Sequence, residues 1–219
     1  MSRRVLAFVL LTACGTSGAT TATPDPAAPE PASQAPMTAD PGAALDAEIV
    51  KTAMTADRLD KVKVRVDADG KMLKQSLYHF DAAAIPKPIR DLAASTYPES
   101  TPVSYETEWY VEVGRVYEVE VDTKDGQHCE VAATPDGKLQ YTECRIDPST
   151  LPSAVAKTVH DMAGTREILE AEKKARGDGE EYTVEIADPG GDLYLRIAAD
   201  GSVIGKYRRV PGIIEVPVP

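Results

Sequence analysis

The chain has 219 residues, with 24 Lys plus Arg against 35 Asp plus Glu and a formal net charge of −11. That balance disfavours DNA, RNA and anionic lipid as partners, because their phosphates are repelled by an acidic surface. One Trp, two Phe and nine Tyr leave a core of Val, Ile, Leu and Tyr, in a length that suits one medium domain or about two to three small units.

The start, MSRRVLAFVLLTAC, places Arg3 and Arg4 ahead of an apolar run from Val5 to Leu11. A helix that spans the roughly 30 Å hydrocarbon layer needs about 20 apolar residues, so residues 1–13 are expected to be a signal peptide. Leu11-Thr12-Ala13-Cys14 resembles the bacterial lipobox, in which the cysteine is diacylated and becomes the new N-terminus after cleavage. The resemblance implies lipidation of Cys14. Gly15 in place of an aspartate resembles the outer-membrane sorting pattern, so the expected location is the cell envelope, lipid-anchored at the outer membrane and facing the periplasm or the surface.

Residues 14–43 are rich in Ala, Pro, Thr and Ser and poor in large apolar side chains. Such a segment buries too little surface to offset the entropy of ordering, and it is expected to be a disordered tether.

Beyond the tether, Asp69-Gly70, Asp136-Gly137 and Asp200-Gly201 each sit between two short apolar alternations, the pattern of a β-hairpin. The shared order, Ala or Pro then Asp then Gly, predicts three-residue loops closed by a left-handed glycine. Aligned on the turn, Val62, Val64 and Val66 correspond to Cys129, Val131 and Ala133 and to Leu193, Leu195 and Ile197, so one buried face is expected three times. An EF-hand reading of the first turn fails. Its first and twelfth positions would be Arg65 and Ser76, neither of them a carboxylate.

Ile85-Pro86 with Ile89, Leu92 and Ala93 is matched by Leu151-Pro152 with Val155, Val159 and Met162. Both spacings are helical, with proline at the first helical position, Ser149 or Thr150 available as a cap, and Pro98 and Gly164 as stops. Alternation then marks strands at Val103, Tyr105, Trp109, Val111 and Val113, at Tyr117, Val119 and Val121, and at Tyr182, Val184 and Ile186. The segment REILEAEKKARGDGEE carries helix formers, whereas the repeat demands a strand; the strand reading of 166–176 is followed.

The expected fold class is α+β: tandem repeats of a helix plus a four-stranded antiparallel sheet at 83–147 and 148–212, a partial copy with helix and hairpin at 44–82, and a tail at 213–219. The Ile/Leu-Pro step, the helix, Tyr-x-Val-Glu-Val or Tyr-x-Val-Glu-Ile, and the Asp-Gly hairpin together resemble the PepSY-like family, related in architecture to β-lactamase inhibitor protein. The resemblance covers roughly 84–210. It implies an exported, non-catalytic domain whose curved sheet binds another protein or peptide, sometimes with inhibition. Inhibitory residues in that family lie on variable loops, so none carries over.

Within the returning strand of the Asp136-Gly137 hairpin the apolar parity shifts from Leu139 and Tyr141 to Cys144 and Ile146. A β-bulge at Thr142-Glu143 would produce that shift and set Cys129 against Cys144. With Cys14 used by lipid, an even pair remains in an oxidising compartment, and a Cys129–Cys144 disulfide is expected. The alternative is two reduced core cysteines.

No catalytic set stands out. His79, His128 and His160 fall in different segments and none has zinc spacing, so no metal or other cofactor is expected. His128 and Cys129 are neighbours on a strand and point to opposite faces. Ser153 and His160 are seven residues apart on one helix, beyond contact. Glu106, Glu108 and Glu112 alternate with the apolar face and read as the wet side of a sheet. Tyr105, Trp109 and Tyr110 are the candidate partner-binding residues, since aromatics dominate binding energy at interfaces.

The functional expectation is thus an exported, lipid-anchored binding module that is not an enzyme, possesses no nucleic-acid site, and binds an unnamed exported protein or peptide, possible inhibition included. The alternative is a structural envelope lipoprotein without inhibitory activity. An exposed aromatic patch favours the first, a uniformly polar surface the second, and a deep pocket with converging polar groups would favour an enzyme.

Overall fold

The computed structural model describes residues 44–217. Three helices, α1 (Ala47–Thr55), α2 (Lys87–Thr96) and α3 (Ser153–Ala163), accompany ten strands: β1 (Leu59–Val66), β2 (Met72–His79), β3 (Thr101–Tyr110), β4 (Gly114–Asp122), β5 (His128–Ala133), β6 (Leu139–Arg145), β7 (Ile168–Arg176), β8 (Gly179–Ile186), β9 (Leu193–Ala198) and β10 (Val203–Arg208). The strands form one antiparallel sheet in sequence order.

That continuity corrects the expected tandem of helix-plus-four-stranded repeats. β2 pairs with β3 across the boundary placed at 82/83, with Gln75 opposite Trp109 and Leu77 opposite Thr107. β6 pairs with β7 across the boundary placed at 147/148, with Glu143 opposite Lys174 and Cys144 opposite Lys173. A separate four-stranded sheet would leave the outer amides and carbonyls of these strands without partners; joining the sheets satisfies them.

The same pairing explains β7. Ile168–Arg176 is a strand despite its helix formers, because it is hydrogen-bonded to β6 on one side and β8 on the other. Tertiary pairing outweighs a few tenths of a kcal/mol per residue of intrinsic propensity.

Four turns share one geometry. Asp67–Lys71, Thr123–Gln127, Thr134–Lys138 and Ala198–Ser202 close with backbone hydrogen bonds around three-residue loops, and Gly70, Gly126, Gly137 and Gly201 sit at φ of 81° to 87°. The turn at Lys124-Asp125-Gly126 carries the same Asp-Gly signal and was not among the expected three.

The helices cover one face of the sheet. Ile85, Ile89 and Ala93 at α2 pack on Tyr117, Val119, Val121, Cys129, Val131 and Ala133. Leu151, Val155, Val159 and Ala163 at α3 pack on Ala171, Tyr182, Val184, Ile186, Leu195 and Ile197. α1 is capped by Asp46, whose carboxylate accepts from the amides of Glu48 and Ile49. At the other two helices Pro86 and Pro152 occupy the cap position itself rather than the first helical position, and Asp147, not Ser149 or Thr150, caps the short 3-10 turn ahead of α3.

The recurring buried face fails in the first hairpin. Val64 and Val66 are 41% and 45% exposed, because α2 and α3 lie over the later strands.

Candidate functional site

The face opposite the helices is the inside of the curl. Side chains from β1 to β7 and from β9 and β10 line one cavity of about 730 Å³. A second of about 270 Å³ shares Arg65, Lys74, Tyr141, Lys174, Tyr194 and Tyr207 with it and reaches Tyr110, Val111 and Val113. The two ends of the sheet meet through side chains: the Arg65 guanidinium on β1 lies 4.5 Å from the Tyr207 ring on β10 and 5.6 Å from the Tyr194 ring on β9.

This inner face corrects the reading of Glu106 and Glu108 as the wet side of a sheet. They are 2% and 0% exposed. Alternation puts them opposite the apolar face, as expected, but the sheet curls toward that face and encloses it. Glu112, in the connection after β3, is exposed.

Charge is sorted across the cavity. β3 to β7 contribute Glu106, Glu108, Glu118, Glu120, Glu130, Glu143, Glu170 and Glu172, while β1 contributes Lys61, Lys63 and Arg65, and the β10 end contributes Lys206, Arg208 and Arg209. Cross-strand pairing sets carboxylates directly opposite one another: Glu106 with Glu118, Glu120 with Glu130, and Glu130 with Glu143. Like charges so placed are destabilising.

Part of that cost is offset inside the wall. Lys74 contacts Glu108, Lys174 lies 2.6 Å from Glu143, Ser76 donates to Glu108 at 2.9 Å, and the Tyr141 hydroxyl donates to Glu118 at 2.6 Å. Thr183 reaches both Glu143 and Glu172 at 2.9 Å. Glu106 is different: its Oε2 is buried with no hydrogen-bond partner among the described residues.

The titration behaviour follows. Burial, with the Glu118 and Glu108 charges, drives Glu106 well above the ordinary carboxylate range. Burial and the Glu108 charge lift Glu118 to about 7, and burial with Glu143 and Glu170 lifts Glu172 to about 8. Glu130 is also pushed well up, by burial and then by Glu118 and Glu143. At Glu108 burial acts upward too, but the Lys74 ammonium outweighs it and holds the group at about 2.

Basic residues on the edges are held by aromatic rings and hydroxyls. Lys63 donates to the Tyr78 hydroxyl, Lys61 and Lys63 lie 4.4 Å and 4.3 Å from the Tyr78 ring centre, and the Arg209 guanidinium lies 3.9 Å from the Tyr194 ring. Such contacts are worth about 0.5–2 kcal/mol each.

Among the residues singled out from sequence, Cys14 lies outside the described residues. Cys129 and Cys144 are directly opposed on β5 and β6 and joined, with S–S 2.09 Å. The irregularity that aligns them lies at Gln140, between the Ala132–Tyr141 and Ala133–Leu139 pairs, and not at Thr142-Glu143. Tyr141 thereby shares the inner face, and Leu139 does not.

The aromatic candidates divide between the two faces. Tyr105 packs toward the α2 core, its ring 6.1 Å from that of His79. Trp109 is half-buried opposite Gln75 and Arg115. Tyr110 is on the inner side, its hydroxyl 3.5 Å from that of Tyr141 and its ring 4.8 Å from the Lys74 ammonium.

His128 also faces inward, with Nδ1 3.0 Å from Asp122 and Nε2 3.6 Å from Glu120. Two carboxylate groupings emerge that sequence spacing missed, because their members come from different strands: Glu106 with Glu118 and Glu120, and Glu120 with His128 and Glu130, the ligand atoms within 4.8 Å of one another in each.

No family profile and no curated protein matches the chain. Solved structures do. A BLIP-like protein from Bacteroides fragilis is 17% identical, with a TM-score of 0.46 over 59% of this chain and 89% of that one. A DUF2874 family protein from Bacteroides ovatus is 11% identical, with a TM-score of 0.45 over 57% of this chain and 87% of that one. These likenesses assign neither a family nor a partner.

Proposed function

We propose that the protein is an exported, lipid-anchored, non-catalytic binding module that takes an extended segment of another exported protein between its edge strands β1 and β10. The observation that carries this reading is the chemistry of the two edges. Each strand pairs on one side only, so each offers a row of unpaired backbone groups for strand addition.

On β1, Lys61, Lys63 and Arg65 lie opposite Tyr78, Ser76 and Lys74 on the cavity side and alternate with Val62, Val64 and Val66, the last two 41% and 45% exposed. On β10, Tyr207 and the following Arg209 turn to Tyr194 at the cavity, whereas Lys206 and Arg208 lie opposite Leu195 and Leu193 of the helix-side core. A segment fitting between the two edges alternates acidic residues toward the cavity with apolar residues outward. Arg65, which spans from β1 to Tyr207, is the side chain that must move aside. Restraint of the partner follows if the captured segment belongs to an active-site loop.

The interior bases among the converging polar groups are engaged by acids: Lys74 with Glu108, Lys174 with Glu143, Arg196 with Glu181. His128 is paired with Asp122 and Glu120.

Selection from a displayed library of random ten-residue segments tests the reading. Recovered binders are expected to alternate acidic and apolar residues, to weaken as salt rises, and to lose at least tenfold in affinity against Arg65→Glu or Lys63→Glu. Binders without that alternation, or equal affinity for both variants, would overturn it.

A further inference from the structure

We propose that Glu106, Glu118 and Glu120 form a binding site for one divalent cation of the oxygen-preferring class, inside the curl of the sheet. This goes beyond the strand-capture reading and stands independently of it, since it uses the acidic wall and not the basic edges.

Three observations converge. One carboxylate oxygen from each of the three residues lies within 4.8 Å of the others. A cation about 2.3–2.6 Å from each ligand places opposed ligands about 4.6–5.2 Å apart, so that spacing fits. Two of the three carboxylates are already oriented by a hydroxyl: Tyr141 donates to Glu118 Oε2 at 2.6 Å and Ser104 donates to Glu120 Oε2. Such outer contacts fix a ligand's direction before the ion arrives.

The third observation points to the ion itself. Glu106 is 2% exposed and its Oε2 has no hydrogen-bond partner among the described residues, whereas Glu108, Glu118 and Glu120 each accept from a hydroxyl. The nearby lysines are engaged elsewhere, Lys74 at Glu108 and Lys63 at the Tyr78 hydroxyl. A cation between Glu106, Glu118 and Glu120 satisfies the orphan oxygen and relieves the Glu106–Glu118 opposition together.

The ligand type sets the class of ion. Three carboxylates suit calcium, magnesium or manganese over thiolate-seeking metals. Glu120 also belongs to the half-buried grouping with His128 and Glu130, which places further carboxylate charge beside the three ligands.

The test is titration of the full chain with manganese, free and bound ion being distinguished by electron paramagnetic resonance. One bound manganese per chain is expected, displaced by excess calcium. Glu106→Gln and Glu120→Gln are each expected to weaken binding at least tenfold, while Asp161→Asn on the exposed face of α3 leaves it unchanged. Circular dichroism establishes that each variant is folded. For the unaltered chain, a shift of the infrared carboxylate stretch on adding calcium reports ligation without any substitution. No bound manganese at millimolar metal, or binding undiminished in both glutamate variants, would overturn the proposal.

Discussion

Lys174 on β7 and Glu143 on β6 face each other directly across the seam that joins the two halves of the sheet, 2.6 Å apart and only 8% and 4% exposed. The pair is a buried charge on each side of the β6–β7 pairing. Removing one partner leaves the other unpaired and largely buried, and such losses run to about 3–5 kcal/mol.

Lys174→Met is therefore expected to destabilise the chain by about that amount, and Lys174→Met with Glu143→Leu to recover most of the loss. Denaturant unfolding of both variants checks it. A double variant as unstable as the single one would show that the seam depends on the ion pair itself.

Stability should fall as pH rises from about 5 to about 8. Glu172 is pushed to about 8 by burial and by Glu143 and Glu170, and Glu118 to about 7 by burial and Glu108. Both folded values lie above the unfolded one, near 4.3. The fold thus favours the protonated acids, and their destabilising effect grows through that window before levelling off. Glu108, held at about 2 by Lys74 against the effect of burial, runs the other way: its contribution is present above about pH 4.3 and is lost toward pH 2. The maximum belongs near pH 4–5. Glu172→Gln should raise stability at pH 8 by about 1 kcal/mol or more and flatten the slope; a flat or rising profile from pH 5 to 8 in the unaltered chain would contradict this.

Reduction of Cys129–Cys144, or their replacement by alanine, is expected to cost up to about 3 kcal/mol, the entropy of a closed loop of this length, with a separation of 15 residues. Thermal unfolding with and without reductant measures it. The buried site and the antiparallel pairing should persist, since β5 and β6 also share backbone hydrogen bonds.

Lipidation at Cys14 predicts that growth on labelled palmitate marks the protein, and that Cys14→Ser abolishes the label and releases the chain from the membrane fraction. Label retained by the variant would contradict it.

What was legible in the sequence is what is local. The Asp-Gly turns announce themselves, because glycine at positive φ is a requirement of the turn alone, and the same signal at Asp125-Gly126 could have been read. The helical spacing of Ile89 and Ala93, and of Val155 and Val159, is likewise local, as is the pairing parity of Cys129 and Cys144 apart from the position of its bulge. β7 was readable only by comparison with its counterpart, against its own propensity.

The curl was not legible. Tyr117-Glu118-Val119-Glu120-Val121 assigns valines to one face and glutamates to the other whichever face becomes the inside. The choice depends on twist accumulated over ten strands and on where three helices settle, so the burial of Glu106 and Glu108 is a property of the whole sheet. The metal-ligand grouping was hidden for the same reason: Glu106, Glu118 and Glu120 converge through strand register, with no spacing motif to mark them.

The most direct test of strand capture at β1 and β10 is recovery of partners from envelope extract by the full chain and by a Lys63→Glu, Arg65→Glu double variant, quantified by mass spectrometry. The account predicts one exported protein at near-stoichiometric yield with the unaltered chain and its loss from the folded variant. Equal recovery by both, or nothing above background with either, would contradict it.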